Sequence, residues 1–483
     1  MKIALGYTIF FAYMLILMVV GEIVAKKTTL NKEVVRKVQH ILTSLSWLIG
    51  VIFFGASIHI VIVNLLGCIV LTITAFTGIT TSSERTDAKR SYGLMYFGLG
   101  TLIVIIIAVY GNKDLFLLSG IPYYCLALGD GFAPLIARMF KKHNPKITEN
   151  KTLLGTLSVF LVSALVALIF NFALDLGYSA LFILSIGALT SVLELFGMKG
   201  TDNLLIELGV FGYVALNHFG YLSIAVQVCV LISPIIVCLS LYKKSLTLTA
   251  SLVSFVYMTL ATFFAGSSVL VLTVSLFVLS EIVSKLTRKK RDKSNQVYKK
   301  ETRGSMQILA NCVVALVFSM LYYTFKEPIF IYCVYVALAE EFADSMASDV
   351  GRLSRKRPID ILRFRRIDKG LSGGVSLFGT IASLVGVCVS VAIWCAYHNM
   401  PWAIMLIVAG VSFLGTIIDS ILGSGVQALY KCNMCQAQTE KPLCCGNRAV
   451  LVKGVRIIDN TAVNLLSGII TTLIAFGIFK IIL

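Results

Sequence analysis

Long apolar runs alternate with short polar segments along the whole chain, from Leu5 to Leu483. Many of the runs reach about 20 residues, the length that a helix needs to cross the hydrocarbon core of a bilayer. Their number predicts about 16 transmembrane helices, mostly in hairpins joined by basic segments. We therefore expect an all-α polytopic membrane protein, in which the short run 203–217 could be re-entrant.

Composition agrees with this pattern. Hydrophobic residues make up 58% of the chain, charged residues 14%, and the mean hydropathy is +0.89. The first apolar run ends at Glu22 and Lys26 without a small-residue cleavage pattern, so we interpret it as the first helix rather than a removed signal. We expect a multi-pass integral protein of a bacterial-type plasma membrane.

The net charge of +18 lies in short loops between the runs. With both termini outside, nearly every Lys/Arg cluster falls on the cytoplasmic face, as the positive-inside rule requires. Because the charge is divided among membrane hairpins, we do not expect nucleic-acid binding. Anionic substrates and membrane lipids are the partners that such loops favour.

The segment 285–303 is the most strongly charged stretch, but the boundary between halves is predicted slightly earlier. We divide the chain into domains 1–242 and 243–483, the second of which contains a cysteine loop at 431–456.

Five short patterns recur in the same order in the two halves, which indicates two related modules. They pair Arg36-x-x-x-His40 with Arg303-x-x-x-Gln307, Asp130-x-x-Ala with Asp344-x-x-Ala, Thr152–Thr156 with Ser376–Thr380, Glu194 with Asp419, and Asp202–Asn203 with Asp459–Asn460. Each matched pattern falls at or near the basic face, which membrane packing alone would not require.

Asp130 is the most informative of these residues. A carboxylate at the bilayer centre costs about 2.5–3.5 kcal/mol on insertion scales, so it marks a candidate functional site. Gly129 and Gly131 flank it and would allow backbone or phosphate to approach. Cations follow at Arg138, Lys141, Lys142, Lys146 and Lys151. This combination suggests a metal–phosphate site at the membrane surface; the alternative is a helix end at which Asp130 pairs with Arg138.

Oxygen ligands with few histidines suit Mg²⁺. In the first half, Asp130 and Asp202 are placed on the metal, and Arg36, Arg138 and Lys151 on nucleotide phosphates. His40 would serve as general base for an alcohol, or else bond to backbone at a helix end. In the second half Gln307 takes the place of His40, which fits an acceptor that is already anionic and needs no base. The segment Ser372-Gly373-Gly374 could cradle phosphate at a helix start.

Eight of the twelve cysteines lie in apolar runs, where they pack as small apolar residues. The other four share the polar loop at Cys432, Cys435, Cys444 and Cys445. Structural disulfides are not expected on the cytoplasmic side. These four have the ligand count of a small zinc knuckle, and the alternative is four free thiols.

At these motifs the first half, about 1–240, resembles the CTP-dependent polyprenol kinase family, which includes dolichol kinase and phytol kinase. The similar stretches are RKVQHILTSL (36–45), RSYGLMYFGLG (90–100), ALGDGFAPLIAR (127–138), KTLLGT (151–156) and GTDNL (200–204).

The second half, about 244–483, resembles the phytyl-phosphate kinase family, long described as a domain of unknown function. The similar stretches are RGSMQILAN (303–311), ADSMASDVG (343–351), GLSGGVSLFGT (370–380), IIDSILGSGVQ (417–427) and DNTAVN (459–464).

Together the resemblances imply a bifunctional kinase that converts an isoprenoid alcohol from the bilayer to its monophosphate and then its diphosphate, using cytoplasmic CTP with Mg²⁺. The catalytic candidates are His40, Asp130, Lys151, Asp202, Asn203, Gln307, Asp344, Asp349, Asp459 and Asn460. The nucleotide-binding candidates are Arg36, Gly129, Gly131, Arg138, Thr152, Gly155, Arg303, Ser372, Gly373, Gly374, Ser376 and Gly379. The metal candidates are Asp130, Asp202, Asp344 and Asp459 for Mg²⁺, with the four loop cysteines for Zn²⁺.

Two alternatives stay open. Phosphatidate cytidylyltransferases and CTP-dependent diacylglycerol kinases act on related substrates. A transporter also fits duplicated membrane halves, although the acidic residues lie toward one face rather than at mid-membrane.

Overall fold

The computed structural model describes residues 1–77, 92–140, 144–198, 200–292 and 302–483, with side chains of the fourth range described to residue 287. Lys141 and Lys142, two of the predicted phosphate-binding cations, lie outside these ranges. So do Arg90 and Ser91 of the second motif, and Lys199.

The described chain forms two compact units, Met1–Leu248 and Thr249–Leu483. Twelve α-helices and two π-helical segments, Ile107–Gly111 and Cys125–Asp130, make up the described part of the first unit. The α-helices are α1 (Lys2–Lys27), α2 (Lys32–Thr43), α3 (Leu45–Phe53), α4 (Ile58–Thr77), α5 (Gly93–Ile106), α6 (Leu115–Leu118), α7 (Gly120–Tyr124), α8 (Gly131–Met139), α9 (Leu153–Ala173), α10 (Ala180–Phe196), α11 (Thr201–His218) and α12 (Ile224–Tyr242).

The described residues that follow form seven further helices and seven short strands. The helices are α13 (Leu248–Ala265), α14 (Ser267–Asp292), α15 (Ser305–Phe325), α16 (Pro328–Gly351), α17 (Leu377–Tyr397), α18 (Trp402–Gly425) and α19 (Asn460–Ile482). The strands are β1 (Ile359–Asp360), β2 (Gly374–Val375), β3 (Leu429–Lys431), β4 (Gln438–Thr439), β5 (Leu443–Cys444), β6 (Asn447–Arg448) and β7 (Val450–Lys453).

Twelve helical stretches of the described residues are long and apolar enough to span a membrane. The all-α polytopic fold expected from the sequence is therefore confirmed. The other runs that were predicted to span are helical as well, but they differ in length or polarity. Helix α10 has 17 residues, and α16 carries Glu340, Glu341 and Asp344 among its apolar residues.

Polar side chains start the helices that position the site residues. Thr152 begins α9 by accepting a hydrogen bond from the Gly155 N–H, and Ser376 begins α17 by accepting one from the Gly379 N–H. A side-chain oxygen at this position satisfies one of the N–H groups that a helix start leaves unpaired. The two recurring Thr/Ser-x-x-Gly motifs are thus equivalent helix starts in the two units.

The cysteine loop, 431–456, forms strands rather than an irregular loop. Strand β3 lies between β4 and β7 in an antiparallel sheet, while β5 and β6 form a separate hairpin through Cys445 and Gly446. Both of these residues have positive φ, +52° and +79°, as a two-residue hairpin turn requires.

Candidate functional site

A buried ion pair joins Lys37 of α2 to Asp130, the last residue of the second π-helical segment. Lys37 Nζ donates to Asp130 Oδ2 at 2.6 Å and to the Asp130 carbonyl oxygen at 2.9 Å. The side chains are 3% and 8% exposed. An unpaired buried charge would cost several kcal/mol. Sequence reasoning missed Lys37. Asp130 pairs with this lysine and not with Arg138, the partner in the alternative interpretation of the sequence; Arg138 itself is exposed.

The segment before Asp130 is π-helical, a conformation that often occurs at functional sites. The two flanking glycines serve helix packing. A Cβ atom at Gly129 would lie 2.8 Å from Ser163 Oγ of α9, and one at Gly131 would lie 2.5 Å from Ile41 Cγ1 of α2. Their predicted role beside a phosphate is therefore corrected: side chains of this unit already fill the space next to them.

His40 lies on the same side of α2 as Lys37. Its Nε2 atom is 3.9 Å from Asp130 Oδ2, and no side chain or backbone group of the described residues gives Nε2 a hydrogen bond. The ring bonds to the Leu126 backbone. Helix α2 is not one of the twelve candidate spans. Burial lowers the pKa of His40 to about 4, so its imidazole is neutral at pH 7.

Lys151, immediately before the start of α9, contacts two carboxylates. Its ammonium group is hydrogen-bonded to Glu194 of α10 and lies 3.9 Å from Asp202 Oδ2 of α11. Burial disfavours the charged ammonium, but Glu194 and Asp202 outweigh that effect and raise the pKa of Lys151. Asp130 also acts on this ammonium electrostatically. The structure thus brings Asp130, Lys151 and Asp202 together around one charged cluster.

Two other predicted residues of the first unit, Arg36 and Asn203, have structural partners. Arg36 Nε and Nη2 bond Glu33 at 3.2 and 2.6 Å, so its guanidinium group is engaged within α2. Asn203 Nδ2 donates to the Gly93 carbonyl oxygen at 2.7 Å, which ties α11 to α5. These contacts position the helices around the cluster.

In the second unit four carboxylates interact electrostatically: Glu340, Glu341 and Asp344 of α16 and Asp419 of α18. Sequence reasoning had not identified Glu340 and Glu341. They precede Asp344 by four and three residues and therefore share its face of α16. We name these four residues the acidic cluster.

The hydrogen-bond partners of the acidic cluster are neutral side chains. Asn311 Nδ2 donates to Glu341 Oε1, and Ser467 Oγ donates to Glu340 Oε1 at 3.0 Å. Asp419 Oδ2 is buried, and it has no hydrogen-bond partner among the described residues. Arg303 and Arg352 act electrostatically on Glu341 and Asp344.

Asp130 and Asp344 occupy equivalent positions in the helix packing of their own units, and we call this shared arrangement the packing frame. A Cβ atom at Gly155 would lie 3.7 Å from the Ala133 carbonyl oxygen, and one at Gly379 would lie 3.2 Å from that of Ala347. Ala133 and Ala347 are each three residues after the aspartate. The helix that carries each aspartate therefore packs in the same register against the helix that follows it.

Several predicted residues of the second unit have local structural roles. Gln307 Oε1 accepts from the Gly304 N–H at 3.2 Å, within the start of α15. Asp349 follows Asp344 by five residues and is rotated by about 140° around α16, so it lies off the shared face of the acidic cluster.

The segment Ser372–Gly374 does not start a helix, which corrects its predicted position. Helix α17 begins at Leu377, and Gly374 belongs to β2. The Ser372 N–H donates to Glu440 Oε1 at 2.6 Å, and the Ser372 hydroxyl donates to Asn460 Oδ1 at 3.3 Å. Gly373 has φ of +79°, and its Cα atom packs closely against Ser424. These groups bind other parts of the unit.

Asp459 is an exposed N-cap. Its Oδ1 atom accepts from the Ala462 N–H at 2.9 Å at the start of α19. This role differs from the predicted one as a metal ligand. Farther along the same helix, Ser467 contacts Glu340 of the acidic cluster. Asn464 Nδ2 donates to Asn311 Oδ1 at 3.4 Å.

The four loop cysteines converge. The Sγ atoms of Cys432, Cys435, Cys444 and Cys445 all lie within 4.8 Å of one another. We name them the cysteine cluster. Hydrogen bonds from the backbone N–H groups of Cys435 and Met434 lower the pKa of Cys432 to about 7.

The fold and these clusters define a polytopic integral membrane protein with buried charged residues gathered in each of two helical units. Residues 231–472 match the family model described as Integral membrane protein DUF92, and the chain belongs to that family. For the second half, this confirms the coarser part of the resemblance, membership of an integral membrane family. The polyprenol kinase resemblance of the first half stays a prediction.

Two relatives are similar to parts of the chain. "Protein PGR" of Arabidopsis thaliana is 29% identical over 272 residues, covering 50% of this chain and 92% of that protein. "Uncharacterized membrane protein MJ0933" of Methanocaldococcus jannaschii is 31% identical over 127 residues, covering 26% of this chain and 51% of that protein. The chain thus spans about half the length of the archaeal relative. No solved structure matches the chain.

Proposed function

We propose that this protein is a bifunctional membrane lipid kinase. The first unit would phosphorylate a long-chain isoprenoid alcohol, and the second unit would phosphorylate the resulting monophosphate. The alcohol and the isoprenyl phosphate would enter from the bilayer, and CTP from the cytoplasm of a cell with a bacterial-type plasma membrane.

One observation carries the proposal: the same packing frame holds Asp130 and Asp344, but the surrounding charges differ. In the recurring motif, Lys37 corresponds to Gly304 and His40 to Gln307. The first unit therefore sets ammonium and imidazole groups beside its aspartate, whereas Gly304 and Gln307 at the matching positions of the second unit carry neither group. Two related sites with different charges suit two acceptors of different charge.

In the first step, the alcohol oxygen attacks the γ-phosphorus of CTP, and the bond from that phosphorus to the β–γ bridging oxygen breaks. CDP leaves with the bonding electron pair. The alcohol proton passes to the neutral His40 imidazole through Nε2, and Asp130 stabilises the imidazolium ion across 3.9 Å. Lys37 holds Asp130 in place, and Lys151 offsets phosphate charge near Glu194 and Asp202. Phosphoryl transfer depends mainly on such positioning and charge.

In the second step, the acceptor is a phosphate monoester oxygen that is already ionised, so no base is needed. Gln307 in place of a histidine is consistent with an acceptor that needs no base. Its side chain caps α15 instead.

We propose a divalent cation for the second unit and not for Asp130 of the first. Carboxylate oxygens are the ligands that Mg²⁺ prefers, and the acidic cluster provides four carboxylates. One of their oxygens, Asp419 Oδ2, accepts no hydrogen bond from the part of the chain that the structure describes. We assign Mg²⁺ there to Asp344, Glu341 and Asp419, where it would neutralise phosphate charge. In the first unit Asp130 Oδ2 is already bonded to Lys37, so we do not assign the ion to Asp130.

The direct test uses the full chain purified in detergent, with CTP and radiolabelled geranylgeraniol or phytol. We expect labelled monophosphate to appear first and diphosphate to follow, with CDP as the coproduct. Each other nucleoside triphosphate tests donor choice in parallel. A matched reaction with diacylglycerol or phosphatidate tests the related lipid substrates.

Other products would overturn the proposal. A CDP-lipid product would indicate a cytidylyltransferase, and phosphatidate formed in preference to isoprenyl phosphate would indicate a diacylglycerol kinase. Uptake of an isoprenoid into vesicles without phosphorylation in detergent would indicate transport.

A further inference from the structure

The cysteine cluster is built from two hairpins that each contribute a pair of ligands. Cys432 and Cys435 lie between β3 and β4, and Cys444 and Cys445 lie at the turn between β5 and β6. Within the Cys432 turn, the Gln436 N–H donates to the Cys432 carbonyl oxygen at 2.9 Å, and the Cys432 N–H donates to the Ala437 carbonyl oxygen at 3.0 Å. The sulfur atoms therefore converge from backbone that is itself hydrogen-bonded.

The sulfur spacing matches a single tetrahedral ion. Cys444 Sγ lies 3.8 Å from Cys435 Sγ and 3.9 Å from Cys445 Sγ. A disulfide would bring two sulfur atoms to about 2.05 Å. Four sulfur atoms at a Zn–S distance of about 2.3 Å form a tetrahedron with edges of about 3.8 Å. The observed separations agree with the second geometry.

The adjacent cysteines use an unusual backbone conformation to reach one centre. Successive residues of a strand point to opposite faces, so Cys444 and Cys445 would ordinarily diverge. Cys445 has φ of +52°, the left-handed conformation that the two-residue turn between β5 and β6 requires. In this turn the sulfur atoms of both residues lie within 4.8 Å of those of Cys432 and Cys435.

We propose that the cysteine cluster binds one structural Zn²⁺ ion through four thiolates. Each thiol releases its proton to solvent when its sulfur binds the ion. Four protein ligands leave no open coordination position, so the site is structural rather than catalytic. The centre carries a net charge of −2, and three cations, Lys431, Lys441 and Arg448, lie within three residues of a ligand in the sequence.

The ion would also fix the strands that join the cysteine cluster to the rest of the second unit. Glu440 lies between the two cysteine pairs and accepts the Ser372 N–H at 2.6 Å. Strand β7 then leads to Asn460, whose side chain accepts the Ser372 hydroxyl at 3.3 Å. Zinc binding would thus hold 428–456 against the segment before α17. The zinc site does not depend on the proposed kinase activity.

The test is metal analysis of the full chain purified in detergent without added zinc or chelator. We expect about one zinc per chain by mass spectrometry, released when a mercurial reagent modifies the thiols. Cys435→Ser and Cys444→Ser should each lower zinc content at least fivefold. Cys388→Ser is the matched control, because Cys388 lies in α17 away from the cysteine cluster, and this variant should retain zinc.

A second measurement avoids reliance on the variants. After chelation, Co²⁺ added to the wild-type chain should give the visible spectrum of tetrahedral thiolate coordination, and zinc should displace it. Chelation should also expose 428–456 to limited proteolysis, and zinc should restore protection. Wild-type chain that neither contains nor binds zinc or cobalt would overturn the proposal. An intramolecular disulfide among these cysteines, or unchanged zinc in both variants, would do so too.

Discussion

Lys37 and Asp130 are separated by 93 positions in the sequence, yet their side chains form an ion pair of 2.6 Å inside the first unit. The lysine also bonds the aspartate's own carbonyl oxygen. Helix α2 is thereby fixed to the point where the π-helical segment becomes α8, and His40 is brought beside the same carboxylate.

Removing only one charge of this pair should lower the stability of the folded chain more than removing both. We expect Lys37→Met to destabilise the chain by about 3–5 kcal/mol, because Asp130 would be left buried without a partner. The double variant with Asp130→Asn should recover most of that loss. Thermal unfolding in detergent measures the effect. Equal unfolding temperatures for the single and double variants would contradict the pairing.

The shared packing frame makes a prediction for Gly379. A valine there would push against the Ala347 carbonyl oxygen, which a Cβ atom already approaches to 3.2 Å. We expect Gly379→Val to cost about 1–3 kcal/mol, as overpacked helix contacts do. Gly410→Ala in α18 is the control, because a Cβ atom at Gly410 meets nothing within 4 Å. Thermal unfolding of the two variants should differ clearly; equal stability would contradict the close contact.

Asp459 allows the cap interpretation to be separated from the metal interpretation. Asp459→Ala should lower stability by about 1 kcal/mol through the loss of an N-cap, and Asp459→Ser should preserve most of it. If Asp459 only caps α19, the serine variant should also convert isoprenyl monophosphate at nearly the wild-type rate. A stable serine variant without that activity would favour the predicted metal role instead.

Asp360 makes a prediction about pH. Burial alone would raise its pKa, but hydrogen bonds from the Ser424 hydroxyl and the Arg363 and Leu362 N–H groups keep the pKa below its ordinary value. Its stabilising contribution should therefore be complete above about pH 4 and decrease as pH falls further through the folded-state pKa. Unfolding temperatures between pH 6 and 3 test this. Asp360→Asn should reduce the decrease below pH 4, and an unchanged profile would contradict it.

Hydrophobic periodicity predicted the helices well, because the spans need continuous apolar surface and few charges. The strands of the cysteine loop could not be anticipated in the same way. They contain two to four residues each, and their pairing follows from long-range contacts and positive-φ turns rather than from alternation. The sequence signal there was the presence of four cysteines in one polar loop, with the ligand count of a small zinc knuckle.

The candidate sites were only partly predictable. Repeated motifs identified Asp130 and Asp344, but did not reveal that Lys37, rather than Arg36, faces Asp130. Helical spacing puts Lys37 on the same face of α2 as His40 and Ile41, but only the structure shows that Ile41 on this face contacts Gly131. Likewise, the spacing of Glu340 and Glu341 from Asp344 placed them on one face of α16. Charge partners from different helices require the tertiary packing.

The most direct test of the two-site account measures the products of two aspartate variants. With CTP and labelled alcohol, Asp130→Asn should form no monophosphate but should still convert added isoprenyl monophosphate to the diphosphate. Asp344→Asn should accumulate monophosphate and form no diphosphate. Unfolding temperatures close to that of the wild type would show that each variant is folded. Equal loss of both steps in both folded variants would contradict the account.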